Sequence, residues 1–312
     1  MSNSSVCHFL ASGSLEREAH RRSDSDWLRQ QLASSPQFIF LWTGSNLFSR
    51  SPEKRPLLIE VAEVIKVSDP IFLGILGSRV ALFAADLSDL GTEEEALAAL
   101  GLNTGQARFV PLRQFDGWLS AEERALLFYA KAMTHWHQEQ RFCSRCGYPT
   151  VPQEAGHVMA CTNPECAKSH FPRTDPATIM LVHSGDQCLL GRQAAWPKGV
   201  YSTLAGFVEA GEKLEDAVFR EVKEESGIEV REIHYFGAQP WPFPQSLMLG
   251  FYAEAKTKTV TVGVELDDVR WFNLPEAKEV LGRLAGRFPH LDTIARRLIR
   301  HWIEETTAGR KV

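Results

Sequence analysis

Several features that define membrane, secreted or nucleic-acid-binding proteins are missing from this chain of 312 residues. No apolar run reaches about 18 residues, so we expect no membrane-spanning helix and no membrane partner. The N-terminal segment lacks the apolar core of a secretion signal, and the C-terminal GRKV is no organelle address. The formal net charge of −5 disfavours a protein whose affinity for nucleic acid rests on neutralising phosphates. These absences favour a cytoplasmic location.

Cysteine is scarce and unevenly placed, which disfavours a disulfide framework. Of six cysteines, Cys7 and Cys188 are isolated and are interpreted as plain thiols. The other four form two pairs within 24 residues: Cys143, Cys146, Cys161 and Cys166. Two such pairs can close a tetrahedral site with four sulfurs and no open position, so we predict one structural zinc ion. Redox or disulfide use is the alternative, and His157 or His170 could replace a ligand.

Apolar patterning divides the chain into five segments. Residues 1–35 are interpreted as a polar, mobile lead-in, and 36–119 as an N-terminal α/β domain that serves as scaffold, dimerisation surface or substrate lid. The sequence predicts a connecting helix over 120–140, in which Ser120 and Glu123 form a capping box. A zinc ribbon over 141–172 precedes a catalytic domain over 173–312. Strands on both sides of a helix there, TVTVG among them, predict a mixed sheet between helices.

One helix carries more negative charge than stability alone would favour. Leu214, Ala217, Val218 and Val222 recur at helical spacing, and Gly227 supplies a helix stop. Three carboxylates continue this apolar face within one arc of roughly 100°: those of Glu221, Glu224 and Glu225. A solvated acidic face is the ordinary explanation of such a run. Divalent Mg²⁺ or Mn²⁺ would resolve the repulsion, because these hard ions prefer carboxylate oxygens.

The spacing of the surrounding residues favours the metal. Over the 23 residues from Gly206 to Ile228, the fixed positions are Gly206, Glu212, Arg220, Glu221, Val222, Glu224, Glu225, Gly227 and Ile228. This pattern resembles the complete Nudix box. The resemblance implies a loop–helix–loop in an α/β/α sandwich, of the α/β (α+β) class, that binds divalent metal and hydrolyses a diphosphate linked to another group.

A second motif narrows the substrate. Three prolines alternate with aromatic and polar residues in QPWPFPQS, and we expect them to hold the backbone extended. Its residues are Gln239, Pro240, Trp241, Pro242, Phe243, Pro244, Gln245 and Ser246. Together with the box and the cysteine pairs, this motif resembles the signature of the NADH pyrophosphatase subfamily. The usual form begins with Ser at the position of Ala238, where this chain departs from it.

The resemblance assigns roles to individual residues. It implies two or three Mg²⁺ or Mn²⁺ ions held by box carboxylates, by Glu265 and by the backbone carbonyl of Ala205. Glu225 would orient or deprotonate the attacking water, and Arg220 would fix a glutamate through paired charge. Besides the proline-rich motif, the expected substrate contacts are Phe171, Phe207, Ala295 and, from the first domain, Arg113.

The implied reaction is cleavage of the diphosphate of NADH or NAD⁺ into nicotinamide mononucleotide and AMP. Removal of an NAD cap from RNA breaks the same bond. Two alternatives remain: hydrolysis of ADP-ribose or another nucleoside diphosphate derivative, and a non-catalytic zinc-ribbon adaptor. A zinc ribbon also occurs in nucleic-acid modules, but Arg145, Lys168 and Arg173 form no dense basic stripe. Relatives of this subfamily are homodimers, and we expect the same here.

Overall fold

The chain divides into two units, Met1–Arg173 and Thr174–Val312. This computed structural model describes residues 6–8, 15–60, 69–77, 79–115, 118–287 and 292–310. The predicted lead-in, N-terminal domain and catalytic domain therefore lie partly outside the described residues. The side chain of Cys7 also lies outside the described part.

The first unit contains an N-terminal sheet, three helices and a small ribbon. Its strands are β1 (Val6–His8), β2 (Leu15–Glu16), β3 (Gln37–Trp42), β4 (Ser45–Ser49), β5 (Leu57–Glu60), β6 (Ile71–Leu76), β7 (Val80–Asp86), β8 (Ala107–Val110), β9 (Thr150–Gln153), β10 (Val158–Cys161) and β11 (Ser169–His170). Its α-helices are α1 (Ser25–Ala33), α2 (Glu93–Ala99) and α3 (Ala121–Glu139).

The N-terminal sheet follows the order β1-β5-β3-β7-β6-β2, and β4 pairs with both β3 and β8. The strands β3 and β7 run parallel, which requires a crossover connection between them. Most residues of β3, β6 and β7 are buried, as expected for apolar runs rather than alternating strands, and β4 is buried throughout although Ser45, Asn46 and Ser49 are polar. Phe40, Phe72 and Phe83 are central to the core of this sheet.

Helix α1 lies within the segment predicted to be a polar lead-in. Asp24 caps it by accepting a hydrogen bond from the Trp27 amide at 3.0 Å. Trp27, Leu28 and Leu32 pack against the core of the N-terminal sheet. The many polar neighbours of these three side chains lower the average hydropathy of the segment, although the three suffice to dock a short helix.

Helix α3 begins as predicted. The Ser120 hydroxyl accepts from the Glu123 amide at 3.1 Å, and the Glu123 carboxylate accepts from the Ser120 amide at 2.7 Å. This reciprocal capping box satisfies two of the backbone donors that a helix start leaves without partners. The helix leads directly to the three-stranded antiparallel ribbon β11-β10-β9, which follows the first cysteine pair.

The second unit is an α/β/α sandwich. Its strands are β12 (Asp175–Ser184), β13 (Gln187–Arg192), β14 (Leu204–Phe207), β15 (Val230–Trp241), β16 (Ser246–Ala255) and β17 (Asp268–Asn273). Its helices are α4 (Leu214–Ser226), α5 (Leu274–Arg287) and α6 (Ile294–Thr307). The sheet order is β15-β16-β12-β13-β17, and β14 pairs with the first half of β12. Only β12 and β16 pair in parallel among these strands, so the sheet is mixed, as predicted.

The two faces of the sheet bury different helices. Met180 and Val182 of β12 pack with α4 in one apolar cluster. The alternate residues Ile179 and Leu181 pack with α5 and α6 in a second cluster. This alternation follows from the two-residue period of a strand, so a central strand with helices on both sides must be apolar throughout.

The structure differs from the predictions in three features. TVTVG forms no strand, because its backbone bonds to the end of α4 instead of to a neighbouring strand. The proline-rich motif is not one extended segment: β15 continues to Trp241, residues 242–245 turn, and β16 starts at Ser246. Helix α5 was not predicted, although its apolar residues recur at helical spacing.

Among the described residues, no helix is both long and apolar enough to span a membrane.

We expect Leu298→Ala to destabilise the protein by about 2 to 5 kcal/mol, because Leu298 is fully buried between α6 and the sheet. Urea unfolding followed by far-ultraviolet circular dichroism measures the change. Val264→Ala serves as the control, since Val264 is fully exposed and its truncation should stay within about 0.5 kcal/mol. Equal stability of the two variants would contradict the assignment of Leu298 to the core.

Candidate active site

Helix α4 is held against the sheet by Ala217, Val218 and Val222, all fully buried. It ends as predicted at Gly227, whose φ of 70° is left-handed and whose amide bonds to the Lys223 carbonyl at 2.8 Å. The buried face continues into Glu221 and Glu225, which are 9% and 7% exposed. Glu224 instead faces solvent, with 60% of its side chain accessible. The predicted arc therefore places two carboxylates at the protein interior and one at its edge.

Gly206 on β14 makes room for the Glu221 carboxylate. A Cβ atom at Gly206 would stand closer than 3.0 Å to the carboxylate carbon and both oxygens of Glu221, a separation that real Cβ atoms essentially never show. The constraint is therefore steric, because the carboxylate occupies the space of the missing side chain. Any larger residue would displace Glu221 from this position.

Arg220 connects the carboxylates to one another. Its Nε and Nη2 donate to the two carboxylate oxygens of Glu212 at 2.8 and 3.0 Å. Its Nη1 donates to Glu221 at 2.8 Å and to Glu224 at 3.0 Å, and Nη2 also reaches the Phe207 carbonyl at 2.9 Å. Hydrogen bonding to Glu212, with smaller contributions from the other carboxylates, raises the pKa of Arg220, and the same pair lowers the pKa of Glu212.

Glu225 lies beyond the reach of this guanidinium. Burial, followed by the negative charges of Glu221, Glu265 and Glu224, raises the pKa of the Glu225 carboxyl to about 8, although a hydrogen bond with the Ala205 backbone acts against the rise. Its Oε2 atom is buried and has no hydrogen-bond partner in the described protein. A buried, unpartnered carboxylate oxygen is costly, so it indicates a ligand or proton partner outside the chain.

The negative charge of Glu221, unlike that of Glu225, is partly compensated by Arg220. Burial raises its pKa, and the hydrogen bond and charge of Arg220 oppose that rise. Glu224 and Glu265 add further negative charge nearby. Charges of one sign are therefore gathered around the buried face of α4, where low polarity strengthens their repulsion.

Glu265 reaches this region from the segment 256–267, which contains no helix or strand. The segment is tied to the end of α4 by two backbone hydrogen bonds, from Thr261 to Ser226 at 2.8 Å and from Gly263 to Glu225 at 3.0 Å. Glu265 itself is exposed. The charges of Glu221, Glu224 and Glu265 all act on the Glu225 carboxyl, so the four predicted carboxylates share one region.

The donor set fits a hard divalent cation. It consists of carboxylate oxygens, one of them buried without a partner, and the Ala205 backbone lies beside Glu225. Spacing along α4 predicted which of its carboxylates share a face, whereas Glu265 and the Ala205 carbonyl were implied only by the family resemblance. Sequence reasoning missed the role of Gly206 and of the 256–267 segment, since close backbone approaches leave little trace in a hydropathy pattern.

The two glutamines of the proline-rich motif form hydrogen bonds within the protein. Gln239 is buried, and its side chain donates to the Asp292 carbonyl at 2.9 Å and accepts from the Ile294 amide at 2.7 Å. It thereby fastens the strand β15 to the start of α6. Gln245 donates to Asp175 at 3.1 Å, so it fastens the turn to β12. The side chain of Gln239 is committed to the protein backbone.

The aromatic residues of the motif stay accessible. The rings of Trp241 and Phe243 meet edge to face, with centroids 4.9 Å apart, and both are partly buried. Pro240 and Pro244 are exposed, and Pro242 is buried. Of the predicted contacts elsewhere, Ala295 is only 7% exposed and packs in the core under α6.

Three predicted substrate contacts are exposed side chains. Phe207, at the end of β14 in the second unit, is 59% exposed. Phe171 and Arg113 belong to the first unit, where Phe171 is 68% exposed and Arg113 lies in a short helical turn over Leu112–Gln114. Exposed aromatic rings of this kind are available to stack on a base.

The four cysteines converge as predicted. Their sulfurs lie within 4.8 Å of one another, with Cys143 and Cys166 at 3.9 Å and Cys146 and Cys161 at 3.4 Å. A tetrahedral zinc with Zn–S near 2.3 Å places its sulfurs roughly 3.8 Å apart, so the observed spacing fits this ion. All four are free thiols rather than disulfides. Amides of Arg145 and Asn163 point at two of the sulfurs, at 3.4 Å each.

The two histidines near the cysteines have different roles. His170 is buried, and its Nε2 lies 3.3 Å from the Cys143 sulfur, so it supports a ligand rather than replacing one. His157 is directed away from the cysteines, and its Nε2 bonds to the Phe72 carbonyl at 2.8 Å. Burial lowers the pKa of His157 to about 4, which keeps the ring neutral. Cys188 is fully buried in the second unit.

Family models match most of the chain. The NUDIX domain matches residues 173–294, the NADH pyrophosphatase zinc ribbon domain matches 138–171, and the NADH pyrophosphatase-like rudimentary NUDIX domain matches 24–136. The last match relates the N-terminal domain to NUDIX domains. This relationship was not predicted from the sequence, because the N-terminal domain lacks a carboxylate-rich helix like α4.

Three relatives illustrate the similarity. NAD-capped RNA hydrolase NUDT12 of Homo sapiens is 33% identical over 332 residues, which cover 93% of this chain and 72% of the relative. NAD(P)H pyrophosphatase NUDT13, mitochondrial, of Mus musculus is 37% identical over 258 residues, which cover 77% of this chain and 72% of the relative. NAD-capped RNA hydrolase NudC of Pseudomonas aeruginosa is 46% identical over 167 residues, or 53% of this chain and 59% of the relative.

An α/β/α sandwich that carries the complete box on its loop–helix–loop defines a Nudix hydrolase. The zinc ribbon ahead of it, and the similarity that extends over nearly the whole chain, narrow the class. The chain belongs to the NADH pyrophosphatase family of Nudix hydrolases.

We expect Cys143→Ser to lose bound zinc and to melt at a lower temperature, because metal binding to such a site is coupled to folding and contributes on the order of several kcal/mol. Elemental analysis and calorimetry measure the two effects. Cys188→Ala is the control: it removes a buried thiol outside the cluster, so it should retain the zinc. A Cys143→Ser protein with unchanged zinc content and melting temperature would exclude a structural zinc held by this cysteine.

We expect Glu225→Gln to stabilise the protein increasingly as pH rises from about 4.5 to about 8. The unfolded carboxyl ionises near 4.5 and the native one only near 8, so the native state loses stability across this window. At about 1.4 kcal/mol per pKa unit the gain reaches several kcal/mol above pH 8.

Melting temperatures between pH 5 and 9, without added Mg²⁺ or Mn²⁺, test this expectation. A chelator is avoided because it would also attack the cysteine site. Glu215→Gln removes an exposed carboxylate from the same helix and should show no such pH dependence. Parallel curves for the wild type and Glu225→Gln would show that the Glu225 carboxyl is not destabilised by burial.

Proposed function

We propose that this chain hydrolyses the diphosphate bond of NADH and NAD⁺, giving nicotinamide mononucleotide, in its reduced form from NADH, and AMP. The observation that carries the proposal is the complete box, with Arg220 binding three carboxylates and Glu225 buried without a partner for Oε2. The names of the relatives support the substrate, since they act on NAD(P)H or NAD-capped RNA.

The metal-binding residues of this proposal are Glu221, Glu224, Glu225, Glu265 and the Ala205 carbonyl. Two or three Mg²⁺ or Mn²⁺ ions bound there would neutralise charge on the diphosphate and lower the pKa of a bound water. Carboxylate oxygens suit these hard ions, whereas the four thiolates of the cysteine cluster suit zinc. Arg220 keeps Glu221 and Glu224 on one side of α4, so these carboxylates do not have to reorganise when ligand arrives.

Glu225 is the general base. Its unpartnered Oε2 atom is available to accept a proton from the attacking water. The water oxygen attacks one phosphorus of the diphosphate, and the bond to the bridging oxygen breaks. That oxygen leaves with the second phosphate, so one water is consumed for each molecule cleaved.

The remaining predicted residues bind the two nucleotide halves. Phe207 and Phe171 offer exposed rings for base stacking, and Trp241 and Phe243 offer a second aromatic surface. Gln239 acts indirectly, since its side chain fixes the start of α6 and with it the backbone around Ala295. Arg113, Gln245, Ser246 and the three prolines complete the proposed set.

Removal of an NAD cap from RNA is part of the same proposal. The bond broken is identical, and two of the relatives are named for this activity. A homodimer and a cytoplasmic location also belong to the proposal. The free cysteines of the zinc site are consistent with a reducing compartment.

We expect hydrolysis of NADH, NAD⁺ and NAD-capped RNA in the presence of Mg²⁺ or Mn²⁺, and a loss of turnover of about 10²-fold or more in Glu225→Gln, because the general base is removed. Chromatography of the nucleotide products measures both. Glu215→Gln, from the exposed side of the same helix, should keep wild-type turnover.

The same assay distinguishes the proposed function from the two alternatives, ADP-ribose hydrolysis and a non-catalytic adaptor. Cleavage of ADP-ribose without cleavage of NADH or NAD-capped RNA would replace the proposal with the first alternative. Binding of all substrates without any hydrolysis would favour an adaptor. Undiminished turnover of Glu225→Gln would remove Glu225 from the role of base.

A further inference from the structure

Glu265 is the one carboxylate of the proposed site that no helix or strand carries. It lies on the 256–267 segment, between the strands β16 and β17, and its side chain is exposed. A functional group must be held close to its productive position, and loops hold such groups less precisely than helices or strands do. Some other feature of the chain must therefore fix the position of Glu265.

The segment is anchored to the C-terminal turn of α4. The amide of Thr261 donates to the Ser226 carbonyl at 2.8 Å, and the amide of Gly263 donates to the Glu225 carbonyl at 3.0 Å. Carbonyls in the last turn of a helix have no partner within the helix, so these bonds satisfy groups that would otherwise need water. The segment and the carboxylate-bearing helix thus share their backbone hydrogen bonds.

Gly263 permits this approach. A Cβ atom there would stand closer than 3.0 Å to the Glu224 carbonyl oxygen and 3.2 Å from the Glu225 Cα. Both are backbone atoms of α4, so they cannot rotate away as a flexible side chain could. The φ angle of Gly263 is not in the left-handed region, which leaves close packing as the reason for glycine.

A second anchor follows two residues after Glu265. The Asp267 amide donates to the Arg192 carbonyl at 2.9 Å. The Leu266 side chain packs against the apolar cluster beneath α4 and lies where a Cβ of Gly191 would stand. Glu265 is therefore held between the Gly263 contact with α4 and the Asp267 contact with β13.

We propose that Gly263 is a positioning residue for the reaction, because its contact with the α4 backbone places Glu265 beside the box carboxylates. The inference rests on the proposed function, in which Glu265 is a metal ligand. A methyl group at position 263 would lift the segment from α4 and withdraw Glu265, while Glu221 and Glu225 keep their places.

The test compares Gly263→Ala with Glu265→Gln and with the double variant. We expect Gly263→Ala to weaken Mn²⁺ binding, measured by calorimetry, and to lower kcat, each by roughly 10- to 100-fold. In the Glu265→Gln background it should cause little further loss of either quantity, because both changes act through the same carboxylate. A residue that only stabilised α4 would give losses that multiply.

Gly282→Ala is the matched control, since a Cβ at Gly282 on α5 meets nothing within 4 Å. It should keep wild-type binding and turnover. Thr261→Pro, which removes the other backbone donor to α4, provides a second variant if Gly263→Ala does not fold. It should reproduce the loss of Mn²⁺ affinity and the lack of further effect in the Glu265→Gln background.

Wild-type Mn²⁺ affinity in Gly263→Ala, or a full additional loss in the double variant, would overturn the proposal. Its failure differs from failure of the proposed function. If the wild-type protein hydrolyses NADH and Glu265→Gln does not, an unimpaired Gly263→Ala rejects only the positioning role. If the wild-type protein hydrolyses nothing, the Mn²⁺ titrations still decide whether Gly263 acts through Glu265.

Discussion

The guanidinium of Arg220 makes the carboxylate-rich face of α4 compatible with a folded protein. It binds both oxygens of Glu212 and one oxygen each of Glu221 and Glu224, and its remaining contact is the Phe207 carbonyl. Planar, bidentate donors suit this task better than the point charge of a lysine. Glu225 lies outside this network and keeps the cost of burial. The charge compensation is therefore selective: it holds the neighbouring carboxylates in place and leaves the negative charge of Glu225 uncompensated.

Close backbone approach is the second condition of the site. Gly206 admits the Glu221 carboxylate against β14, and Gly263 admits the 256–267 segment against the end of α4. Neither glycine lies in the left-handed region, so neither serves a turn. In both cases the missing side chain is replaced by a functional group or by the backbone that carries one. Gly206 of the box and Gly263 outside the box are therefore both explained by close packing against α4.

Local patterns predicted the features whose cause is local. Capping residues located the start of α3, and periodicity located α4. Features that depend on distant partners were missed. TVTVG has the composition of a strand, but its amides bond to α4. The bonds of Gln239 to Asp292 and Ile294 were missed as well, because these partners lie more than 50 residues away along the chain.

The two groups of metal-binding residues differ in what they can do. Four thiolates at tetrahedral spacing fill the coordination sphere of zinc, so the ion has no position for water or substrate. His170 beside Cys143 reinforces this closed arrangement. Of the carboxylates around α4, Glu224 and Glu265 are exposed, and one buried oxygen of Glu225 has no partner. Such donors would bind a hard cation and leave room for the oxygens of a diphosphate and water. Structural stability and chemistry are thus assigned to different donors, soft sulfur in the ribbon and hard oxygen in the sandwich.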